Sequence, residues 1–188
     1  MTPKPLRVVR RRFKLGDLLK RLEIPEERVK SVRDDEEEEQ LRRAIQADPE
    51  GFFSRSPLIL TTHSGERFYL GDGQGRLGAA GDPQLDVVAR VEYYRSEGEA
   101  RDAALDISYN VNAARGRVSA YDKARYAGLL RSRGLSAKEA AKKMNLDERT
   151  IYHLWKIYDN ESLMEGLKRG ELSLREAVSL AYSKSLTR

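Results

Sequence analysis

Residues 135–157 read LSAKEAAKKMNLDERTIYHLWKI. Ser136 stands three residues before Glu139, and this spacing is typical of a capping box, in which two side chains satisfy free backbone amides at the start of a helix. Asn145 tolerates the left-handed backbone of a tight turn better than other non-glycine residues do. Asp147 is well placed to cap a following helix. The stretch therefore predicts two helices that are joined by a tight turn.

The second predicted helix has one apolar side and one polar side. Ile151, Leu154 and Trp155 recur at helical spacing, so we expect them to face a core. Ala140 and Ala141 on the first helix are small, which suits a close crossing of two helices. The pattern is that of a helix-turn-helix, and the alternative is an ordinary helical hairpin packed in a core.

Polar side chains on the outer side of this motif predict contacts with double-stranded DNA. We expect Arg149 to reach a guanine edge or a phosphate, and Lys142 and Lys156 to contact phosphates. A single motif of this kind usually needs two-fold symmetry for affinity, so we also expect a homodimer on DNA. The candidate DNA-binding residues are Ser136, Lys138, Lys142, Asp147, Glu148, Arg149, Thr150, Tyr152, His153 and Lys156.

The distribution of charge favours a polyanionic partner. The chain of 188 residues carries a net charge of +5. Residues 1–100 hold 18 Lys or Arg against 19 Asp or Glu, whereas residues 101–188 hold 17 against 11. The positive excess therefore lies in the C-terminal half, which also contains the predicted helix-turn-helix.

The composition excludes several other classes of site. The chain has no cysteine, which excludes a disulfide scaffold and a thiolate metal site. Its two histidines, His63 and His153, fall in different predicted domains, so we expect neither a zinc site nor a Ser-His-Asp arrangement. No run approaches the roughly 18 apolar residues of a membrane span, and no secretory signal is visible. We therefore expect a cytoplasmic, nucleoid-associated protein that contacts no membrane.

The N-terminal half has the pattern of a mixed α/β domain. Residues 57–60 and 67–70 are the predicted strands of a hairpin, and residues 86–94 are a further predicted strand. Residues 15–22 predict a short amphipathic helix. The acidic run 34–39 predicts the start of another helix, because carboxylates favour the positive end of the helix dipole.

The predicted fold class is α+β, with a small mixed-sheet domain followed by an all-α helix-turn-helix domain. The predicted bounds are 1–100 for the first domain, 101–117 for a connecting segment and 118–188 for the second domain. From about residue 98 onward, almost every pattern is helical.

A glycine-rich loop, Gly71 to Arg76, separates a predicted strand from a predicted helix. Its glycines at positions 71, 73 and 75 would let backbone amides approach a phosphate, which Arg76 could neutralise. The alternative is a tight strand-to-helix turn in which Arg76 pairs internally, because glycine-rich turns are common without ligands.

Two motifs carry a resemblance to a known family. The segment Asp72-Gly73-Gln74-Gly75-Arg76-Leu77-Gly78-Ala79-Ala80 resembles the nucleotide-binding box of ParB-type partition proteins, which runs Asp-Gly-x-x-Arg-Leu-x-Ala-Ala. Residues 112–115, Asn-Ala-Ala-Arg, are similar to the family's Asn-x-x-Arg motif, and residues 163–180 are similar to its pattern after the helix-turn-helix.

The resemblance implies a ParB-like N-terminal domain, a role in DNA partition or transcriptional regulation, and CTP or another nucleotide with Mg²⁺ as the cofactor. The nucleotide-binding residues that it implies are Gly71, Asp72, Gly73, Gln74, Gly75, Arg76, Asn112 and Arg115. The chain departs from the family pattern at Gly75 and Gly78, where arginines are usual, and at Val111, where a Glu usually helps to hold magnesium.

Two further alternatives remain open. A nuclease, NTPase (a CTPase, for instance) or small-substrate kinase could use Asp72, Arg76 and a carboxylate from residues 34–39 for phosphoryl transfer. The preferred hypothesis assigns no catalytic residue and no metal ligand. Residues 1–12 are either a basic arm or a first strand with a charged edge. The basic segment Arg7 to Lys14 resembles the short arginine-containing tails that stimulate ParA-type ATPases, which would make such an ATPase a partner.

Overall fold

The computed structural model describes residues 3–29 and 35–183. It divides into two compact units, Met1–Arg117 and Val118–Arg188, which we call the N-terminal unit and the C-terminal unit. Each unit is described by itself.

The N-terminal unit is built on a mixed five-stranded sheet in the order β1-β5-β3-β4-β2. Its strands are β1 (Arg7–Lys14), β2 (Leu22–Glu23), β3 (Leu58–Thr62), β4 (Phe68–Asp72) and β5 (Asp86–Tyr93). Strands β1 and β5 are antiparallel, as are β3 and β4, whereas β3 pairs with β5 and β2 pairs with β4 in parallel. Together with the helices, this sheet confirms the predicted α+β class.

Five helices accompany the sheet in the described part of this unit. They are α1 (Leu15–Leu19), α2 (Asp35–Ala47), α3 (Pro49–Arg55), α4 (Gln74–Ala80) and α5 (Glu97–Ala114). The longest, α5, packs on β4 and β3. The largest buried side chains of the main core include Phe13, Phe53, Leu60, Phe68 and Leu70.

Several local predictions are confirmed and others need correction. Strands β3 and β4 form the predicted hairpin, and α2 begins with the acidic run at Asp35, while Asp34 lies outside the described residues. The helix predicted over 15–22 ends at Leu19. Leu22 instead belongs to strand β2, where it pairs with Phe68 of β4. The segment Arg7 to Lys14 is a strand paired along its whole length with β5, not a free basic arm.

The structure departs most from the sequence prediction in residues 101–117, which were predicted to form a connecting segment. Residues 101–114 belong to α5, where Ala103, Ala104 and Leu105 are buried. Apolar residues at helical spacing cover the sheet on this side, so the segment contributes to the core of the N-terminal unit instead of joining two domains.

The C-terminal unit consists of helices in its described part. They are α6 (Ala120–Ser132), α7 (Ala137–Met144), α8 (Glu148–Tyr158), α9 (Glu161–Lys168) and α10 (Leu174–Ser183). Side chains at the N-caps of α6, α7, α8 and α9 accept hydrogen bonds from backbone amides. Such caps satisfy amides that a helix start leaves unpaired, which explains the sharp boundaries between these short helices.

Candidate functional site

The turn between α7 and α8 has the geometry that its sequence predicts. Ser136 and Glu139 form a reciprocal capping box at the start of α7. Asn145 ends α7 in the left-handed conformation, with φ of 53° and ψ of 49°. The Asp147 side chain then accepts a 2.8 Å hydrogen bond from the Thr150 amide and caps α8. The two helices are therefore joined by a tight turn with fixed ends.

The inner sides of these helices hold α8 against the unit. Ile151 and Leu154 are fully buried, and Ala140 is buried on α7. Trp155 is half-buried, and its indole N–H donates a 2.8 Å hydrogen bond to the backbone carbonyl of Ala127 on α6. A buried indole usually finds such a partner, so this contact fixes the rotation of α8 about its own axis.

The outer side of the motif is polar and open to solvent. Tyr152, with 55% of its side chain exposed, lies in the middle of α8. It packs edge-on against Trp155, with ring centroids 5.7 Å apart. Six further members of the predicted DNA-binding set are exposed: Ser136, Lys138, Lys142, Asp147, Glu148 and Arg149.

Three predicted DNA-binding residues hold helix ends instead of standing free. The Ser136 hydroxyl contacts Glu139, and the Thr150 hydroxyl donates to Asp147 at 2.7 Å. Hydrogen bonds from the Thr150 side chain and amide lower the pKa of Asp147, and hydrogen bonds from Ser136 lower the pKa of Glu139. These side chains set the position of the exposed residues beside them.

His153 and Lys156 are half-buried, because both contact helix α10. The Nδ1 atom of His153 lies 2.9 Å from the hydroxyl of Tyr182. The Nζ atom of Lys156 lies 3.8 Å from the centroid of the same ring. Sequence reasoning missed Tyr182, because the residue lies 26 or more positions away along the chain and no local pattern joins it to α8.

A second cluster of charges lies at the end of β4 in the N-terminal unit. The Arg76 side chain donates to Asp72 at 2.9 Å, and Arg115 approaches the two carboxylate oxygens of Asp72 at 3.5 and 3.4 Å. The structure thus brings together residues from both halves of the predicted nucleotide motif. Burial by itself raises the pKa of Asp72, but the charges and hydrogen bonds of the two arginines outweigh it, so this pKa lies below its ordinary value.

A third arginine, Arg28, completes this cluster, and sequence reasoning missed it. Its side chain donates to the Gln74 side-chain oxygen at 2.6 Å and to the Gly71 carbonyl at 3.4 Å. Burial is the main cause that lowers the pKa of Arg28 to about 10; the charge of Asp72 opposes this shift and the charge of Arg76 adds to it. No motif marks Arg28 in the sequence, since it lies more than 40 residues before the loop.

We call Arg28, Asp72, Arg76 and Arg115 the arginine cluster. It brings three guanidinium groups and one carboxylate together at the end of β4. Guanidinium groups are suited to binding an anion such as a phosphate.

The glycines of the loop have different roles. Gly73 has φ of +113°, and an added Cβ would lie 2.4 Å from Cδ2 of Leu58, so only glycine fits without strain. Gly71 lies in β4, where an added Cβ would meet Ile107 of α5 at 3.0 Å. Gly71 therefore permits close packing of α5, and Gly75 lies in the first turn of α4.

Asn112 is buried at the C-terminal end of α5, with 1% of its surface exposed. Its Nδ2 donates to the Ser108 carbonyl at 2.8 Å. Its Oδ1 is buried and has no hydrogen-bond partner among the described residues. A buried acceptor without a partner is costly, which makes this atom a candidate for contact with a ligand.

Residues 3–29 and 35–183 contain neither a candidate metal site nor a candidate membrane span. In that part of the chain, no group of three or more His, Asp or Glu side chains is arranged to hold a metal ion. No helix there has the length and apolar composition needed to cross a membrane. Of the carboxylates predicted for phosphoryl transfer, Glu37 is bonded to Arg117, and Glu39 to Arg42 and Arg43.

Comparison with known proteins agrees with this architecture. A family model described as a helix-turn-helix domain matches residues 123–177. The crystal structure of the C-terminally truncated chromosome-partitioning protein ParB from Caulobacter crescentus, complexed to the centromeric parS site, is similar, with a TM-score of 0.53 and 15% sequence identity. The match covers 92% of this chain and 84% of that chain. This chain has a ParB-like fold.

A second structure of the truncated Caulobacter crescentus ParB, complexed with CTP-gamma-S, matches with a TM-score of 0.41 and 16% identity, covering 92% of each chain. None of the curated proteins matches this chain. The ParB-like fold accounts for the order of a mixed-sheet unit followed by a helix-turn-helix, as the sequence motifs predicted.

Proposed function

We propose that this ParB-like chain binds double-stranded DNA through helix α8 of its helix-turn-helix. The observation that carries the proposal is the outer side of α7 and α8, where Arg149, Tyr152, Lys138 and Lys142 are exposed beside a capped and packed turn. The similar Caulobacter crescentus structure contains a DNA site, which supports the same partner here.

Helix α8 would enter the major groove with its N-terminal turn foremost. Arg149 lies in that first turn and would donate to a guanine edge or a phosphate, while Lys138 and Lys142 on α7 would contact phosphates. Glu148, next to Arg149, is an acceptor suited to a cytosine amino group. Ser136, Asp147 and Thr150 would act by holding the helix ends, since their side chains are engaged there.

Selection from a pool of randomised duplexes tests this proposal without a known target. The full chain is expected to enrich one sequence, and Arg149→Ala should weaken its binding by about 1–3 kcal/mol. The control is Lys168→Ala, which removes an exposed charge from α9 that contacts only Glu165 of its own helix. Failure to enrich any duplex, or equal binding by Arg149→Ala and Lys168→Ala, would overturn the proposal.

We further propose that the chain binds a two-fold symmetric site as a homodimer and serves in DNA partition or transcriptional regulation. One helix-turn-helix offers few base contacts, so two copies on two half-sites would supply the affinity. Sedimentation of the full chain on the selected duplex should show two chains per site. One chain per saturated site would contradict the dimer and leave the DNA-binding proposal standing.

The arginine cluster supports a second proposal, the binding of a nucleotide such as CTP by its phosphates. Arg28, Arg76 and Arg115 would donate to phosphate oxygens, for which guanidinium groups are well suited. The buried Oδ1 of Asn112 would accept a hydrogen bond from the ligand. Any Mg²⁺ would be held chiefly by the phosphates, because Asp72 is already occupied by Arg76 and Arg115.

Binding of radiolabelled CTP, ATP and GTP, with and without DNA, tests the nucleotide proposal. Arg115→Gln should weaken binding at least tenfold if it loses a charged phosphate contact of about 1.5–3 kcal/mol. The control is Arg95→Gln, an exposed arginine just before the opposite end of α5. Absence of binding, or equal binding by both variants, would overturn this assignment, and product analysis of the same samples reports any hydrolysis.

A further inference from the structure

Strand β1 carries arginines on both sides, and the two sides differ in their partners. Successive side chains of a strand point to opposite faces of the sheet. On one side, Arg12 pairs with Glu50 at 2.5 Å and Lys14 pairs with Asp86 at 3.1 Å. Arg10 on this side donates to a backbone carbonyl of α3. The charges on this side are therefore largely neutralised or engaged.

The opposite side of β1 has arginines that lie on aromatic rings. The guanidinium carbon of Arg7 lies 4.2 Å from the ring centroid of Tyr93. That of Arg11 lies 5.2 Å from the ring centroid of Phe13, and its Nη1 donates to the Tyr93 hydroxyl at 3.2 Å. Both arginines are exposed.

Arg21, from the turn after α1, extends the same surface. Its guanidinium carbon lies 4.9 Å from the ring centroid of Phe68, which packs edge-on against Phe13 at 5.4 Å. Its Nε donates to the Glu66 carbonyl at 2.8 Å, and Nη2 donates to the carbonyl of Gly65. We call Arg7, Arg11, Arg21, Phe13, Phe68 and Tyr93 the arginine–aromatic surface.

The charge of this surface has no counterpart within the described chain. In residues 3–29 and 35–183, neither Arg7, Arg11 nor Arg21 forms a salt bridge, and their contacts are rings, a hydroxyl and backbone carbonyls. Three guanidinium groups thus stand on one side of the sheet without a neutralising carboxylate. Ring contacts restrict their motion but leave N–H groups for an external acceptor.

We propose that the arginine–aromatic surface binds the phosphate backbone of duplex DNA independently of sequence, as a second DNA contact apart from α8. A row of uncompensated guanidinium groups is complementary to regularly spaced phosphates. The aromatic rings lie beneath the arginines, and Phe13 and Phe68 are buried. Bases cannot stack on buried rings, so the surface suits a duplex backbone better than a single strand.

Salt dependence of binding to a scrambled 30-base-pair duplex tests the proposal with the full chain. Each phosphate contact contributes about −0.9 to the slope of log K against log salt concentration. The double variant R7Q/R11Q should therefore reduce the steepness of the slope by about 1.8. Its matched control, R12Q/K14Q, removes two charges from the other side of the same strand and should leave the slope unchanged.

Two additional variants separate lost charge from lost folding. R7K/R11K keeps both charges and should retain the original slope. The single variant R7Q alters an exposed residue whose only contact is a ring, and it should reduce the slope by about 0.9. Circular dichroism spectra of all variants should match that of the unmodified chain.

Two outcomes would overturn the proposal. One is an equal slope for R7Q/R11Q and R12Q/K14Q, whether both are unchanged or both are reduced. The other is an unchanged DNA slope together with loss of binding to polyglutamate by R7Q/R11Q, which would assign the surface to an acidic protein. Arg149→Ala tests α8 separately, so failure here leaves the proposed function untouched.

Discussion

The Cβ position of Gly128 on α6 lies 2.4 Å from Cδ1 of Tyr158 on α8. Real Cβ atoms do not approach a ring carbon so closely, so the two helices cross with room for a hydrogen atom only. Trp155 reaches the same stretch of α6 through its hydrogen bond to Ala127. The close packing of the proposed recognition helix, α8, against α6 therefore depends on glycine at position 128.

Gly128→Ala should destabilise the C-terminal unit by about 1–2 kcal/mol, because overpacking costs more than the gain of about 1 kcal/mol in helix propensity. Urea unfolding followed by the fluorescence of Trp155, the only tryptophan, measures this unit. In a chain that already carries Tyr158→Ala, adding Gly128→Ala should not lower the free energy of unfolding, because the clashing ring is gone. Equal losses in both backgrounds would show that Tyr158 is not the cause.

Gly78→Ala should stabilise the N-terminal unit by about 0.5–1 kcal/mol, because alanine favours a helix over glycine. Gly78 lies inside α4, and among the described residues no atom beyond its chain neighbours and the backbone of its own helix stands within 4 Å of its Cβ position. In contrast, Gly73→Ala should destabilise the N-terminal unit by about 1–3 kcal/mol, since the φ of +113° at Gly73 is strained for residues other than glycine. Thermal unfolding followed by circular dichroism distinguishes the two, and a loss of stability in Gly78→Ala would contradict the structure of α4.

The C-terminal unit should lose stability in acid through its capping carboxylates. Hydrogen bonds from Ser136 and Ser173 lower the pKa values of Glu139 and Glu176 in the folded chain. A lowered folded-state pKa means that the stabilisation is fully present above the ordinary glutamate pKa of 4.5 and is lost as the pH falls through the folded-state pKa. The melting temperature should therefore fall between about pH 5 and pH 3.

The double variant E139Q/E176Q should show a smaller fall over this pH range, because glutamine does not titrate at these two positions, while the cap Asp147 still does. Trp155 fluorescence again follows the unit. The control is Glu161→Gln, which changes an exposed carboxylate in the first turn of α9 and should reproduce the fall of the unmodified chain. An undiminished fall in E139Q/E176Q would assign the acid sensitivity to other groups.

Asp72→Asn should destabilise the N-terminal unit by about 1–3 kcal/mol, because it removes the carboxylate that pairs with the largely buried guanidinium group of Arg76. Inorganic pyrophosphate should restore much of the lost melting temperature if the cluster accepts an anion. Asp86→Asn removes the exposed partner of Lys14 and serves as the control, with little effect. A pyrophosphate response equal in Asp72→Asn and Asp86→Asn would place the anion elsewhere.

The sequence by itself determined the features that depend on neighbours along the chain. The Ser136–Glu139 spacing, Asn145 in the turn and Asp147 at the start of α8 act over three or four residues, and each has its predicted geometry. The hairpin of β3 and β4 is of the same kind, because its strands are separated by five residues. Short-range hydrogen bonds and backbone preferences depend on residue types that are close together in the sequence, so the sequence predicts them directly.

Only the tertiary structure decided which distant residues meet. Arg28 joins the loop of Asp72 from more than 40 residues away, and Tyr182 reaches His153 from another helix. Local periodicity shows which side of an element is buried, but the pairing of strands and the packing of helices choose its partner. For that reason the sequence predicted the helix-turn-helix and three of the four residues of the arginine cluster. Residues 101–114 of the predicted connecting segment belong to α5, and the N-terminal basic segment, which the sequence left open between an arm and a strand, is an edge strand.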